Sequence, residues 1–219
     1  TINEETGEHL MSGMGELHLE VIENRIKSEK HIEVVMGPPI VVYREAVLKP
    51  STGESEGKSP NKHNKLYFRV EPLDEAYVKA IGLGELPEGR VRQKDTIVRD
   101  KLVELGMDAK LATKVKEIYN GNLFIEETRG IVHINEIMEL VLDMFEDVMR
   151  GGVLAREPCL NVKVRLMDSK LHEDAIHRGP SQMYPAVREG IREAMRMASP
   201  ILLEPIQMLQ FEAPEEYTG

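Results

Sequence analysis

A single cysteine, Cys159, stands in 219 residues, so no intrachain disulfide can form. No apolar run approaches the ~20 residues of a membrane span, and the opening TINEETGEH is polar rather than signal-like. These absences predict a reducing, cytoplasmic setting and no membrane partner. There is no GxxxxGKS/T, so the chain should not hold a nucleoside triphosphate through a phosphate-binding loop, and neither HExxH nor a nucleophile elbow occurs. Positive charge is in deficit: 28 Lys and Arg face 38 Asp and Glu, a net charge of -10. That balance argues against nonspecific coating of nucleic acid, which depends on cations releasing counterions, but it leaves room for a local basic patch.

What is present suits a soluble α+β protein, since 41% hydrophobic residues can fill a core in one large or two modest domains. The segment SGMG at 12–15, with Ser12 as cap, leads into a helix with Leu17, Val21, Ile22 and Ile26 on one face. Strands are predicted over 31–36 and 40–47, around Gly37-Pro38-Pro39. The polar, turn-rich stretch 49–64 reads as a linker or exposed loop, followed by a strand on Leu66, Phe68 and Val70. Between 73 and 120 the apolar positions Ile97, Leu102, Val103, Leu111, Val115 and Ile118 suit short packed helices. Asn120-Gly121 marks a turn before a strand at 122–127. The clearest helix covers 135–150, with Gly151-Gly152 as its stop. A strand on Leu160, Val162, Val164 and Leu166 precedes a last helix over 182–197, with Pro180-Ser181 as start signal and Pro185 in its first turn. One more strand is expected at 203–212. Because the chain starts at Thr1 without methionine and stops just after that run, it is expected to be a fragment of something longer.

The stretch LHEDAIHRGPSQ, 171–182, concentrates chemistry: two histidines, two acids and an arginine in one loop. His172, Asp174 and His177 could supply a metal site for a metal-dependent enzyme, although the helical spacing of the two histidines is poor. The remaining histidines, His9, His18, His31 and His133, read as surface or packing residues, and Cys159 as a small buried side chain. A second reading is an anion site, with His177 and Arg178 delivered to the start of a helix. If strands 66–70 and 162–168 pair antiparallel, Lys58, Lys62, His63 and Lys65 lie beside His172, His177 and Arg178. A cationic tip on an acidic body suits probing RNA without adhering to it everywhere. Solvated loops without any ligand are the plain alternative. Asn61-Lys62-His63-Asn64 departs from a guanine-reading NKxD, because Asn64 stands where the aspartate would accept the base's hydrogen bonds.

Four segments in order, SGMGELHLEVIENRIKSE, GPPIVVYRE, SPNKHNKLYF and HEDAIHRGPSQMYPAVREG, resemble the translation elongation factor 2 family, the archaeal and eukaryotic translocation factors. Gly179-Pro180-Ser181, where eukaryotic members usually have a glycine run, looks archaeal. The resemblance implies a partial ferredoxin-like split sandwich at 1–46, the C-terminal half of the third domain. It then implies a ribosomal protein S5 domain 2-like fourth domain at 47–198, with tip loops 58–65 and 171–181 and a left-handed βαβ crossover, and the first strand of a fifth domain at 199–219. It implies a ribosome-engaging arm whose tip enters the decoding site, meets rRNA and the tRNA-mRNA minihelix, and helps both advance. Such an arm carries no catalysis, and its GTP and Mg would belong to a G domain outside this chain of a ribosome-stimulated GTPase.

Carried over by motif, His177 in DAIHRG resembles the histidine converted to diphthamide. In that modification an aminocarboxypropyl group joins an imidazole carbon and is then methylated and amidated, leaving a fixed trimethylammonium cation. His172, Asp174, Ile176, Arg178 and Gly179 would be the context read by the diphthamide-synthesis enzymes, and Lys58, Lys62, His63, Asn64, Lys65, His177 and Arg178 the RNA-contacting tip. Glu173, where eukaryotic members usually have Ala, makes the neighbourhood less positive.

Overall fold

A computed structural model describes residues 1, 2, 7–38, 40–92, 94–206 and 208. The chain divides into two compact units, one of Thr1–Val42 with Glu204–Gly219, the other Tyr43–Leu203.

In the first unit helix α1 (Glu16–Lys30) follows Gly15, which occupies the N-cap position without any side-chain hydrogen bond. The expected cap, Ser12, is not used. Instead the amide of Met14 donates to Nδ1 of His18 at 3.1 Å. Glu23–Lys27 and Arg25–Glu29 pair at i,i+4 spacing along the helix. No residue of α1 is buried, and Leu17 is 74% exposed. The strand expected at 31–36 is absent. An extended apolar run becomes a strand only against a partner, and the described residues of this unit offer it none.

The second unit opens with β1 (Arg44–Val47), shorter than the expected 40–47 run, then β2 (Ser55–Lys58) and β3 (Lys65–Pro72). Next come α2 (Glu75–Gly82), β4 (Gly89–Arg90), α3 (Thr96–Glu104), α4 (Ala109–Ala112), β5 (Val115–Tyr119) and β6 (Asn122–Glu126). The long α5 (Ile134–Arg150), β7 (Val162–Lys170), a 3₁₀ turn (Ala175–Arg178), α6 (Pro180–Met197) and β8 (Pro200–Leu203) complete it. Val115 and Ile118 therefore belong to a strand rather than to a helix. Ile97 is 78% exposed and Val103 also faces outward, so the predicted core of this stretch is corrected at four of its six positions. Helix α6 starts at Pro180, which moves Pro185 from the first turn into the second. Of the strand expected at 203–212, only Leu203 lies in β8; 207 and 209–212 fall outside the described residues.

Six strands form one mixed sheet in the order β2-β3-β7-β6-β5-β4. Its neighbours pair antiparallel except β6 and β7, which run parallel because α5 carries the chain back between them. Asn120 and Gly121, with φ of 46° and 73°, make the two-residue left-handed turn that a tight β5–β6 hairpin requires.

Strand β6 explains why the sheet is buried on both faces. Phe124 packs into a core with Phe68, Val164, Phe145 and Met195 under α5 and α6. Its neighbours Leu123 and Ile125 point the other way, into a core with Tyr77, Leu86, Leu102 and Ile118 under α2 and α3. A strand covered twice reads as a continuous apolar run instead of an alternation. Cys159 is buried, and burial pushes its thiol up to about 12, so it packs rather than reacts. Strands β1 and β8 form a separate antiparallel pair, Arg44 opposite Leu203 and Val47 opposite Pro200. Among the described residues no helix is long and apolar enough to cross a membrane.

Candidate functional site

The antiparallel β3–β7 pair sets the site. Its register runs to Lys65 opposite Lys170, so the loop entering β3 and the loop leaving β7 emerge at one end of the sheet. The two loops predicted to form one edge therefore do so.

The first loop, 59–64, is a turn built by its own side chains. The amide of Ser59 donates to the carbonyl of Asn64 at 3.0 Å, and that of Lys62 to the carbonyl of Ser59 at 2.7 Å. The Ser59 hydroxyl donates to Oδ1 of Asn61 at 2.6 Å, and that same oxygen accepts the amide of His63 at 3.1 Å. Lys62 takes the left-handed region at φ 64°, which turns the chain outward at the apex. The second loop is capped by Asp174, whose carboxylate accepts the amide of Ile176 at 3.0 Å and so starts the 3₁₀ turn.

Asn64 fastens one loop to the other. It is wholly buried; its Oδ1 accepts the amide of His172 at 3.0 Å and its Nδ2 donates to the carbonyl of His177 at 2.7 Å. Asn61 Nδ2 adds a second donor to that carbonyl at 3.3 Å, and the Asn61 amide donates to Gln182 Oε1 at 2.9 Å. The departure from an NKxD pattern now has a structural reason: an aspartate at 64 could accept from His172 but could not donate to His177.

Above this frame three imidazoles meet. Ring centroids lie 5.0 Å apart for His63 and His172, 5.0 Å for His63 and His177, and 4.5 Å for His172 and His177. The metal reading gains no support from them. Nδ1 of His172 accepts the Asp174 amide at 3.0 Å, which puts the ring proton on Nε2, and the Asp174 carboxylate is engaged as a cap. Among the described residues no group of three His, Cys, Asp or Glu side chains is placed to hold a metal ion.

Arg178 and Asn64 are corrections to the expected RNA-facing set. Arg178 is 5% exposed: one guanidinium nitrogen donates to the carbonyls of His172 and Glu173, and another pairs with Glu136 at the start of α5. His133, at the N-cap position of α5, also holds Glu136, and those two partners keep the Glu136 carboxyl below its ordinary range. Arg178 therefore serves neither a free anion site nor the exterior. Lys65 is tied to Glu56 at 2.7 Å, a bond that raises the lysine and lowers the acid. Lys58, Lys62, His63 and Ile176 face outward, as do Glu173 and Asp174, while His172 and His177 are half-buried. Gly179 has extended backbone and caps α6, so no left-handed conformation demands glycine there.

Sequence reasoning missed Ser59, Asn61, Gln182 and Glu136 as builders of this tip. The Ser-Pro-Asn start of the first loop is a turn signal that could have flagged two of them. Nothing local links Glu136 to a loop 42 residues away.

Comparison with known proteins follows the same geography. Residues 88–199, which carry β5–β7, α5, the second tip loop and α6, match the family described as "Elongation factor G, domain IV"; residues 1–38 match "Elongation Factor G, domain III". Over the whole chain the sequence is similar to proteins named elongation factor 2: 52% identical to that of Thermococcus kodakarensis, 54% to that of Methanocaldococcus jannaschii and 53% to that of Methanosarcina mazei. The chain spans 30% of the length of each of these relatives. With just over half of its residues matched by that family's profile, and with the tip loop and its supporting helices inside the match, the chain belongs to the elongation factor G domain IV family.

Proposed function

We propose that this chain is the ribosome-engaging arm of a translocation factor, working at the tip formed by loops 59–64 and 171–178. The observation that carries this reading is the fastening of two loops, far apart in sequence, around three imidazoles at one end of a rigid sheet. A probe needs this build: a stiff shaft, and a small polar end held by side-chain hydrogen bonds. In the cytoplasm the tip would enter the decoding site and meet rRNA and the tRNA-mRNA minihelix. GTP and Mg would act in a part of the factor outside these residues. The first unit would be part of a ferredoxin-like split sandwich and the second a ribosomal protein S5 domain 2-like fold.

The charge pattern bears on His177. Arg178 and Lys65 are neutralised by carboxylates, and Glu173 and Asp174 are exposed beside Lys58 and Lys62. The bare tip is thus close to balanced, and a fixed cation added to His177 would make it positive where it meets phosphate. Diphthamide-synthesis enzymes are the corresponding partners. The reading is tested by movement of mRNA and tRNA on the ribosome with the factor carrying Lys58→Glu and Lys62→Glu: a slowed step supports it, and wild-type speed removes it. Mass analysis of the His177 peptide from the native host tests the modification separately.

A further inference from the structure

The bonds of Asn64 reach both ends of a six-residue segment, from the amide of His172 to the carbonyl of His177. A single 3₁₀ turn has too few internal hydrogen bonds to hold its shape alone. Its shape in this protein is imposed from outside, by a side chain on the other loop. The same turn that places Asn64 places His63, whose ring stands 5.0 Å from each of the other two imidazoles. Any group approaching the His177 ring therefore meets His63 as well, with Ile176, 78% exposed, on the same short turn.

We propose that Asn64 is a positioning residue for His177. It fixes the backbone from which that imidazole projects, so that whatever acts on His177 recognises a discontinuous surface made by loops 59–64 and 172–178 rather than the linear segment DAIHRG. This rests on His177 being the modified residue. The requirement is chemical and narrow: the side chain at 64 must donate on one side and accept on the other while filling a fully buried site. Aspartate keeps the size and loses the donor, setting a carboxylate oxygen against a carbonyl oxygen.

The test is to express the protein in a native-type host as wild type, Asn64→Asp and Asn61→Asp, and to measure three things. These are the initial rate of mass gain on the His177 peptide, the unfolding midpoint, and by NMR the His63–His177 ring contacts with the His172 amide protection. Asn64→Asp is expected to lower the rate about 100-fold, the scale of a small misplacement of a reacting group, with ring contacts and amide protection lost. Asn61→Asp keeps the acceptor oxygen that builds the 59–64 turn and removes only the weaker donor, so its rate should fall less at an unchanged midpoint. If Asn64→Asp does not fold, Asn61→Asp decides, and a wild-type rate there overturns the proposal. A wild-type rate in Asn64→Asp overturns it, and so does a lost rate with ring contacts and amide protection intact. An unmodified wild type would sink the modification reading alone, while the NMR arm would still decide whether Asn64 sets the ring.

Discussion

The carboxylate of Glu45 fills the space that a side chain on Gly152 would need: a Cβ built there would lie 2.2 Å from Glu45 Oε2. Glu45 is fully buried on β1, and its oxygens accept four amides of the loop after α5, those of Val153, Leu154, Ala155 and Glu157, at 2.6 to 3.2 Å. Successive amides converging on one carboxylate make an anion nest, closed from within the protein. Two substitutions should therefore fail together. Glu45→Ala strands several buried donors and is expected to cost about 3 kcal/mol or more, and Gly152→Ala should cost a similar amount by expelling the carboxylate. Denaturant unfolding measures both, and fast amide exchange confined to 153–157 would identify the nest as the part that opens.

A second close approach sets how α6 sits on the sheet. A Cβ on Gly57 would come within 2.0 Å of the Ala186 carbonyl oxygen, and one on Gly190 within 2.6 Å of the Phe68 ring. Backbone cannot yield as a ring can. Gly57→Ala should accordingly destabilise more than Gly190→Ala, with overpacking of about 1–3 kcal/mol for the latter. Melting temperatures that rank the two in the opposite order would refute the steric argument.

These features were invisible in the sequence for a physical reason. Periodicity reports which face of an element is apolar, so α5 and β3 were legible, and the pairing of β3 with β7 followed from reasoning about where charged loops must meet. Glu45, Asn64 and Asn122 are polar residues in the core, and a polar letter reads as surface until its partners are known. Asn122 illustrates it, donating to the Cys159 carbonyl at 2.9 Å and accepting the Val162 amide at 2.9 Å across a gap of some 40 residues. At the site, the loops and His177 were legible from composition and resemblance. The inward turn of Arg178 was not, because its partner Glu136 lies on another element. The missing strand at 31–36 failed differently: its residues have strand character, but a ladder requires a neighbour.

Glu117 gives a prediction in pH. It lies on β5, 2% exposed, 3.5 Å from Arg90, with Glu146 close by. Burial, followed by the repulsion of Glu146, pushes its carboxyl up to about 7 against the counter-pull of Arg90. Between the unfolded value near 4.5 and the folded value near 7 the native state holds the extra proton. Stability from this group is thus fully present below about pH 4.5 and is lost as pH rises through 7, by up to about 3 kcal/mol at 1.36 kcal/mol per unit. Glu117→Gln keeps the shape without the charge, so the variant should gain on the wild type as pH rises from 5 to 8. Parallel stability curves across that range would show that Glu117 ionises normally.

Arg178 and Lys62 look alike in the sequence, both cations of the tip loops, and the structure predicts opposite behaviour. Lys62 is exposed at the apex of its loop, so Lys62→Glu should leave stability within about 0.5 kcal/mol and act only where the tip meets an anionic partner. Its effect on mRNA and tRNA movement should shrink as salt is raised, because the interaction is screened. Arg178→Ala removes donors from two carbonyls and leaves Glu136 with one partner fewer, an expected loss of about 2–3 kcal/mol. The loss should loosen 171–178 and not the sheet, giving faster exchange at the His172 and His177 amides while those of β7 stay protected. Arg178→Lys, which keeps the charge but not the fork of donors, should recover little of it. Full recovery by lysine would mean that charge alone mattered and that Arg178 faces outward in solution.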